Sequence, residues 1–125
     1  MNLKNKILSK EAKIGVMGLG YVGLPLALEF AQSGYKVIGF DVDKEKINAL
    51  LNGDSYITDV DSKSIKEVLF KKNLSPTYDF RKIQEVDVVI ICIHTPLRKT
   101  KDPDISCILS ALNEIKQNFH KLLVE

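Results

Sequence analysis

Gly18-Leu19-Gly20-Tyr21-Val22-Gly23 follows directly on a short, apolar and partly β-branched segment, Ala12 to Met17, and opens a stretch with helical spacing. A glycine hexad of the form G-x-G-x-x-G is a weak signal alone. Set between a predicted strand and a predicted helix, it requires a strand, a tight turn and a helix in that order. In such a turn the first glycine permits the sharp reversal. The second lets a pyrophosphate approach the backbone with no Cβ in the way, and the third lets helix pack closely on strand. The free amides and positive dipole end of the helix then supply an anion site.

The rest of the chain repeats this alternation. The helix is expected to start near Val22, with Val22, Leu26, Ala27, Phe30 and Ala31 on one face, Pro25 tolerated in its first turn and Gly34 ending it. Lys36 to Asp41 reads as a second strand, and Lys44 to Leu51 as a second helix closed by Asn52-Gly53. Ser62 to Lys72 places Ile65, Val68 and Leu69 at helical spacing, and a short extended piece follows at Leu74 to Thr77. Val86 to Ile93 is a nearly continuous β-branched run, the pattern of a strand covered on both faces, and it stops at His94-Thr95-Pro96. Beyond a charged loop, Leu97 to Pro103, Asp104 is expected to cap a helix running to about Phe119. Its residues Ile105, Ile108, Leu109, Leu112 and Ile115 should face the core, and Leu122 to Val124 begins a further strand. Strands and helices alternating in this way imply an α/β fold, a Rossmann-type doubly wound parallel sheet.

At 125 residues with 45% hydrophobic side chains the chain has the makings of one domain with one core. The net charge of +2 is spread along the sequence, which argues against a nucleic-acid or lipid-binding footprint. The longest apolar run is too short to span a bilayer and the Lys-rich start lacks a signal-peptide core, so a cytoplasmic location is expected. Two cysteines provide neither a disulfide framework nor a zinc site, and no metal is expected.

Asp41 ends the second predicted strand about twenty residues beyond the glycine turn, where a carboxylate accepts hydrogen bonds from the adenosine ribose of a dinucleotide. Its charge would repel a 2′-phosphate, favouring NAD over NADP, with Lys44 and Lys46 nearby acting in the other direction. Lys46 is a candidate for the adenine or ribose edge. Tyr21 and Val22 either line the cofactor or pack at the helix start. Thr95 and Pro96 lie at the carboxyl end of the fourth predicted strand, where open α/β sheets bind ligands. His94 has no assignable partner for general-base work and reads better as a local or cofactor-side contact. Cys92 reads as a small buried strand residue, and Cys107 shows no basic surroundings that would favour a thiolate.

The segment Lys13 to Ala27, containing the glycine turn, resembles the N-terminal signature of UDP-sugar 6-dehydrogenases. Val37-Ile38-Gly39-Phe40-Asp41-Val42-Asp43, Gly53-Asp54-Ser55-Tyr56-Ile57, Ile91 to Leu97 and Pro103-Asp104-Ile105-Ser106 continue the likeness in the same order over nearly the whole chain. The Ser55-Tyr56-Ile57 and Pro103 to Ser106 blocks are more similar to the UDP-N-acetylhexosamine branch than to the UDP-glucose branch. By matching position the resemblance implies NAD contacts at Tyr21, Val22, Asp41, Lys46 and Thr95, which join Gly18, Leu19, Gly20 and Gly23 of the glycine turn and Pro96 as the candidate cofactor-binding residues. The family usually carries arginine where Lys46 stands, and this branch proline where His94 stands.

Enzymes of the family oxidise the sugar C6 alcohol to a carboxylate with two NAD, through a cysteine-bound thiohemiacetal and thioester, and are dimers. The resemblance implies that residues 1–125 form the NAD-binding domain. The catalytic cysteine and the UDP-sugar domain are then expected downstream of Glu125. No catalytic residue is assigned within the chain, which is expected to bind cofactor without turnover. A free-standing nucleotide-binding or regulatory module is the alternative.

Overall fold

The computed structural model describes residues 2–92 together with 109, 112, 113 and 116. In chain order the elements are α1 (Leu3–Leu8), β1 (Lys13–Met17), α2 (Gly23–Gln32), β2 (Lys36–Phe40), α3 (Lys44–Leu51), α4 (Ser62–Phe70), β3 (Leu74–Thr77), a 3-10 helix (Phe80–Glu85) and β4 (Val88–Ile91). The four strands form one parallel sheet in the order β3-β2-β1-β4. Starting from β1, the chain lays down β2 and β3 on one side and then crosses to the other side with β4. The order therefore reverses at β1, the kind of switch point beyond whose strand carboxyl ends open α/β sheets bind ligands.

Alternation along the strands divides the core in two. Ile14 and Val16 of β1, Val37 of β2 and Leu74 of β3 meet α2, α3 and α4 through Leu24, Ala27, Leu28, Ala31, Ile47, Leu50, Ile65 and Val68. Met17 and Phe40 point to the opposite face, where they pack with Ile83 and Val86. Phe80 stacks on Phe40 with ring centroids 5.8 Å apart. Burying side chains of this size contributes about 1.5–3 kcal/mol each, so these two clusters dominate what holds the fold together. β3 carries Pro76 in register with Gly39 of β2.

Three elements begin at aspartates that cap them. Asp43 accepts from the Glu45 amide, Asp61 from the Lys63 amide and Asp79 from the Arg81 amide, at 3.0, 2.9 and 3.1 Å. α2 is the exception, starting at Val22 with no side-chain cap and no acidic residue in its first turn.

The expected face of α2 needs correction. Leu24, Ala27, Leu28 and Ala31 are its buried row, whereas Val22 is exposed and Leu26 and Phe30 are half-buried. The seating of Gly23 against Gly18 sets the helix rotation, a tertiary constraint that the apolar spacing did not reveal. The fourth strand is also shorter than expected. Its ladder spans Val88–Ile91, while Val86 is buried in the second cluster before the strand begins. All four ladder residues are half-buried rather than covered on both faces, because β4 lies at the edge of the described sheet. Leu109 and Leu112 are helical but exposed, although their spacing placed them toward the core. Periodicity shows that residues share a face, not what covers it. The remainder of the 104–119 helix, the 97–103 loop, the 122–124 strand, His94, Thr95, Pro96 and Cys107 lie outside the described residues.

The polar start of the chain contains an unforeseen helix, α1, which buries none of its own residues. It is held by long-range bonds instead. The Tyr35 hydroxyl donates to the Ile7 carbonyl at 2.9 Å, and the Lys6 ammonium reaches Asp87 at 3.2 Å. Asp87 also accepts from the Lys13 amide at 2.9 Å. Burial alone would push the Asp87 carboxyl up, but the Lys13 amide and the Lys6 ammonium outweigh it and hold the group below the usual carboxylate range. A depressed folded-state value means that this stabilisation is present above the ordinary carboxylate pKa and is lost as pH falls through the folded value. Asp87→Asn is therefore expected to cost about 1 kcal/mol at neutral pH and little at pH 2, a convergence to be checked by urea melts at both pH values.

Candidate dinucleotide site

The β1–α2 turn occupies the carboxyl end of β1, at this switch point. Gly18 leaves β1 with φ 97°, a conformation that favours glycine, and its amide donates to the Phe40 carbonyl of β2 at 2.8 Å. Leu19 then turns inward and is fully buried. The space for it comes from Gly39, where a Cβ would stand 3.0 Å from both Leu19 methyls. The chain comes back so tightly that a Cβ on Gly23 would lie 1.6 Å from the Gly18 carbonyl oxygen and 3.2 Å from the Cys92 Cβ.

Gly20 differs from its neighbours. A Cβ there would meet nothing within 4 Å among the described residues, so their packing does not demand glycine at this position. An open glycine at this place leaves room for a ligand to lie against the backbone. The amides of Gly20, Tyr21 and Val22 donate to no backbone carbonyl among the described residues. Pro25 at the third helical position has no amide to satisfy. Free amides, an uncapped helix and an open position at Gly20 together fit an anionic dinucleotide backbone.

Asp41, just past β2, is bound to this turn. One carboxylate oxygen accepts from the Leu19 amide at 2.9 Å and the other from the Asp43 amide at 2.9 Å. Two hydrogen bonds leave a carboxylate with further acceptor capacity, so the same group can both fix the turn and receive a pair of hydroxyls. Gly20, Tyr21, Asp43, Lys46 and Tyr56 line a cleft of about 360 Å³ beside it. Tyr21 and Val22 are 84% and 68% exposed. Lys46 lies with its ammonium 5.9 Å from the centre of the Tyr56 ring.

The structure thus gathers Gly18 to Gly23, Asp41 and Lys46, whereas Thr95 and Pro96 fall outside the described residues. Sequence reasoning gave no role to Tyr56, whose hydroxyl donates to the Leu19 carbonyl at 2.5 Å. Burial pushes this phenol up, and the Asp41 and Asp43 carboxylates add to the effect. The only signal available beforehand was its place in the Ser55-Tyr56-Ile57 block. Cys92, expected to be buried, is half-buried at the foot of α2, and burial raises its thiol. That is the reverse of what a nucleophile needs. Among the described residues no helix is long and apolar enough to cross a membrane.

Residues 12–124 match the UDP-glucose/GDP-mannose dehydrogenase family, NAD binding domain. A UDP-N-acetyl-D-glucosamine 6-dehydrogenase of Salmonella typhi is 40% identical over 101 residues, covering 81% of this chain and 23% of that protein. A UDP-N-acetyl-D-mannosamine dehydrogenase of Pyrococcus horikoshii is 38% identical over 106 residues, covering 84% of this chain and 25% of that protein. The crystal structure of a GDP-mannose dehydrogenase from Pseudomonas aeruginosa in a ternary complex superposes with a TM-score of 0.77 at 36% identity, covering 82% of this chain and 24% of the other. The chain spans about a quarter of the length of these proteins. Three sugar specificities at nearly equal identity mean that likeness over this region does not discriminate the sugar.

Proposed function

Because the chain belongs to the UDP-glucose/GDP-mannose dehydrogenase family, matching its NAD-binding domain, we propose that it holds the cofactor for a UDP-N-acetylhexosamine 6-dehydrogenase. In that reading the sugar pocket, the catalytic cysteine and the dimer contacts belong to other parts of a cytoplasmic protein. The reaction is oxidation of the sugar C6 alcohol to a carboxylate, with two NAD accepting the two hydrides. The Ser55-Tyr56-Ile57 and Pro103-Asp104-Ile105-Ser106 blocks support the N-acetylated branch.

The single observation that carries the cofactor site is Gly20, which among the described residues has open space around it and neighbouring amides without a backbone partner. The amides of Gly20, Tyr21 and Val22 would hold the pyrophosphate with help from the α2 dipole. Asp41 would take the adenosine ribose hydroxyls, Lys46 would border the adenine or ribose, and Thr95 and Pro96 would approach from the β4 side. Gly18, Leu19 and Gly23 act by shaping the turn.

Calorimetric titration with NAD and NADP tests this. NAD is expected to bind, and NADP more weakly by about tenfold or more. Asp41→Ala should weaken NAD because it loosens the turn, and it should also shrink the NAD-to-NADP preference, since the charge that repels a 2′-phosphate is gone. A folded chain that binds both equally, or an Asp41→Ala variant with an unaltered preference, would sink the ribose assignment. Turnover by the full-length protein on UDP-N-acetylglucosamine, UDP-N-acetylmannosamine and UDP-glucose decides the sugar.

A further inference from the structure

Asp41 and Tyr56 grip one residue, Leu19, through the two peptide groups that flank it. The Leu19 amide donates to the Asp41 carboxylate, and the Leu19 carbonyl accepts from the Tyr56 hydroxyl. These two partners reach Leu19 from different parts of the chain, Asp41 from the end of β2 and Tyr56 from the segment between α3 and α4. That segment is itself fixed. The Ser55 amide donates to the Ser62 hydroxyl at 2.9 Å, and the Ser55 hydroxyl donates to the Ile57 carbonyl at 2.8 Å. The Tyr56 phenol is therefore presented to the glycine turn from a braced loop rather than by chance of a free side chain.

The consequence lies one atom further along. Every described peptide bond is trans, and in a trans peptide the carbonyl and the following N–H point in opposite directions. A Leu19 carbonyl directed at Tyr56 sends the Gly20 N–H the other way. If that peptide turned over, the acceptor oxygen of Leu19 would replace the Gly20 donor, and an anion would meet like polarity. Gly20 has no Cβ to resist such a rotation, and its own amide is tied to no described carbonyl. The restraint must come from Leu19, and Tyr56 is what holds its oxygen.

We propose that Tyr56 is a positioning residue of the cofactor site, whose hydroxyl sets the Leu19–Gly20 peptide so that the Gly20 N–H faces the cofactor's phosphates. The proposal rests on the cofactor reading above and adds a specific determinant to it. Tyr56 acts through the backbone of the turn, so its loss affects ligands that carry the diphosphate and spares those that lack it.

The test compares the unaltered chain with Tyr56→Phe, which keeps the ring and removes only the hydroxyl, using NAD, ADP and adenosine as separate probes. NAD and ADP are expected to bind the variant about tenfold more weakly, while adenosine, followed by NMR titration, changes by less than about twofold. Faster hydrogen exchange at the Gly20 amide in the NAD-bound variant would accompany this. Equal weakening of all three ligands would indicate general loosening and overturn the proposal, as would undiminished NAD and ADP binding. Failure of the unaltered chain to bind NAD and ADP would instead overturn the cofactor reading itself, and the role of Tyr56 with it.

Discussion

Gly23→Ala is expected to destabilise the fold by about 4 kcal/mol or more, enough to leave much of a marginally stable domain unfolded. The added Cβ would lie 1.6 Å from the Gly18 carbonyl oxygen and 2.8 Å from its carbon. Both are backbone atoms, and Gly18 is fixed in turn by its amide bond to the Phe40 carbonyl. Relief requires α2 to move away from β1, which pulls Leu24 and Ala27 off Ile14 and Val16 in the main core. Overpacking of a rigid contact is costly because no flexible side chain can absorb the displacement. Thermal melts decide the matter, and an alanine variant that melts within about 2 °C of the unaltered chain would contradict the geometry.

Gly20→Ala should do the opposite. Among the described residues nothing lies within 4 Å of the new methyl group and no positive φ opposes it, so stability is expected to stay within about 0.5 kcal/mol of the original. NAD affinity, however, should fall by about a hundredfold or more, because the methyl group occupies the space through which the pyrophosphate reaches the turn. Melts and NAD titrations on the same preparation check both halves. Normal NAD binding by this variant would place the diphosphate elsewhere. The two glycines are separated by only Tyr21 and Val22, yet one variant is expected to report on the fold and the other on the ligand.

Much of this was readable in the sequence because local chemistry and tertiary structure agree. The Lys44–Leu51 helix has the bounds its pattern predicted, and Asp43 and Asp61 cap helices as short polar residues do at such positions. Leu74–Thr77 is a strand as expected. The misses share a cause in long-range partners. Helix α1 has no buried face to generate a pattern, and its anchors, Tyr35 and Asp87, lie far away in the chain. The rotation of α2 depends on a contact between two glycines, which have no side chains to show a periodicity. The place of Asp41 at a strand end suggests a ribose contact, while its hold on the Leu19 amide depends on β2 standing beside the turn. Tyr56 illustrates the same point more sharply, since nothing in a tyrosine's spelling reports which carbonyl it will reach.

The proline in β3 has a consequence for how the sheet can be extended. Val37 and Asp41 donate to the Asn73 and Thr77 carbonyls, so alternation turns the polar groups of Leu74 and Pro76 away from β2. Proline brings no donor, which leaves the Leu74 amide as the lone N–H offered by this strand on its outer flank. An incoming strand would find its ladder broken almost at once. The sheet is therefore a template on one side only, sealed at β3, and any strand that joins it must do so past β4.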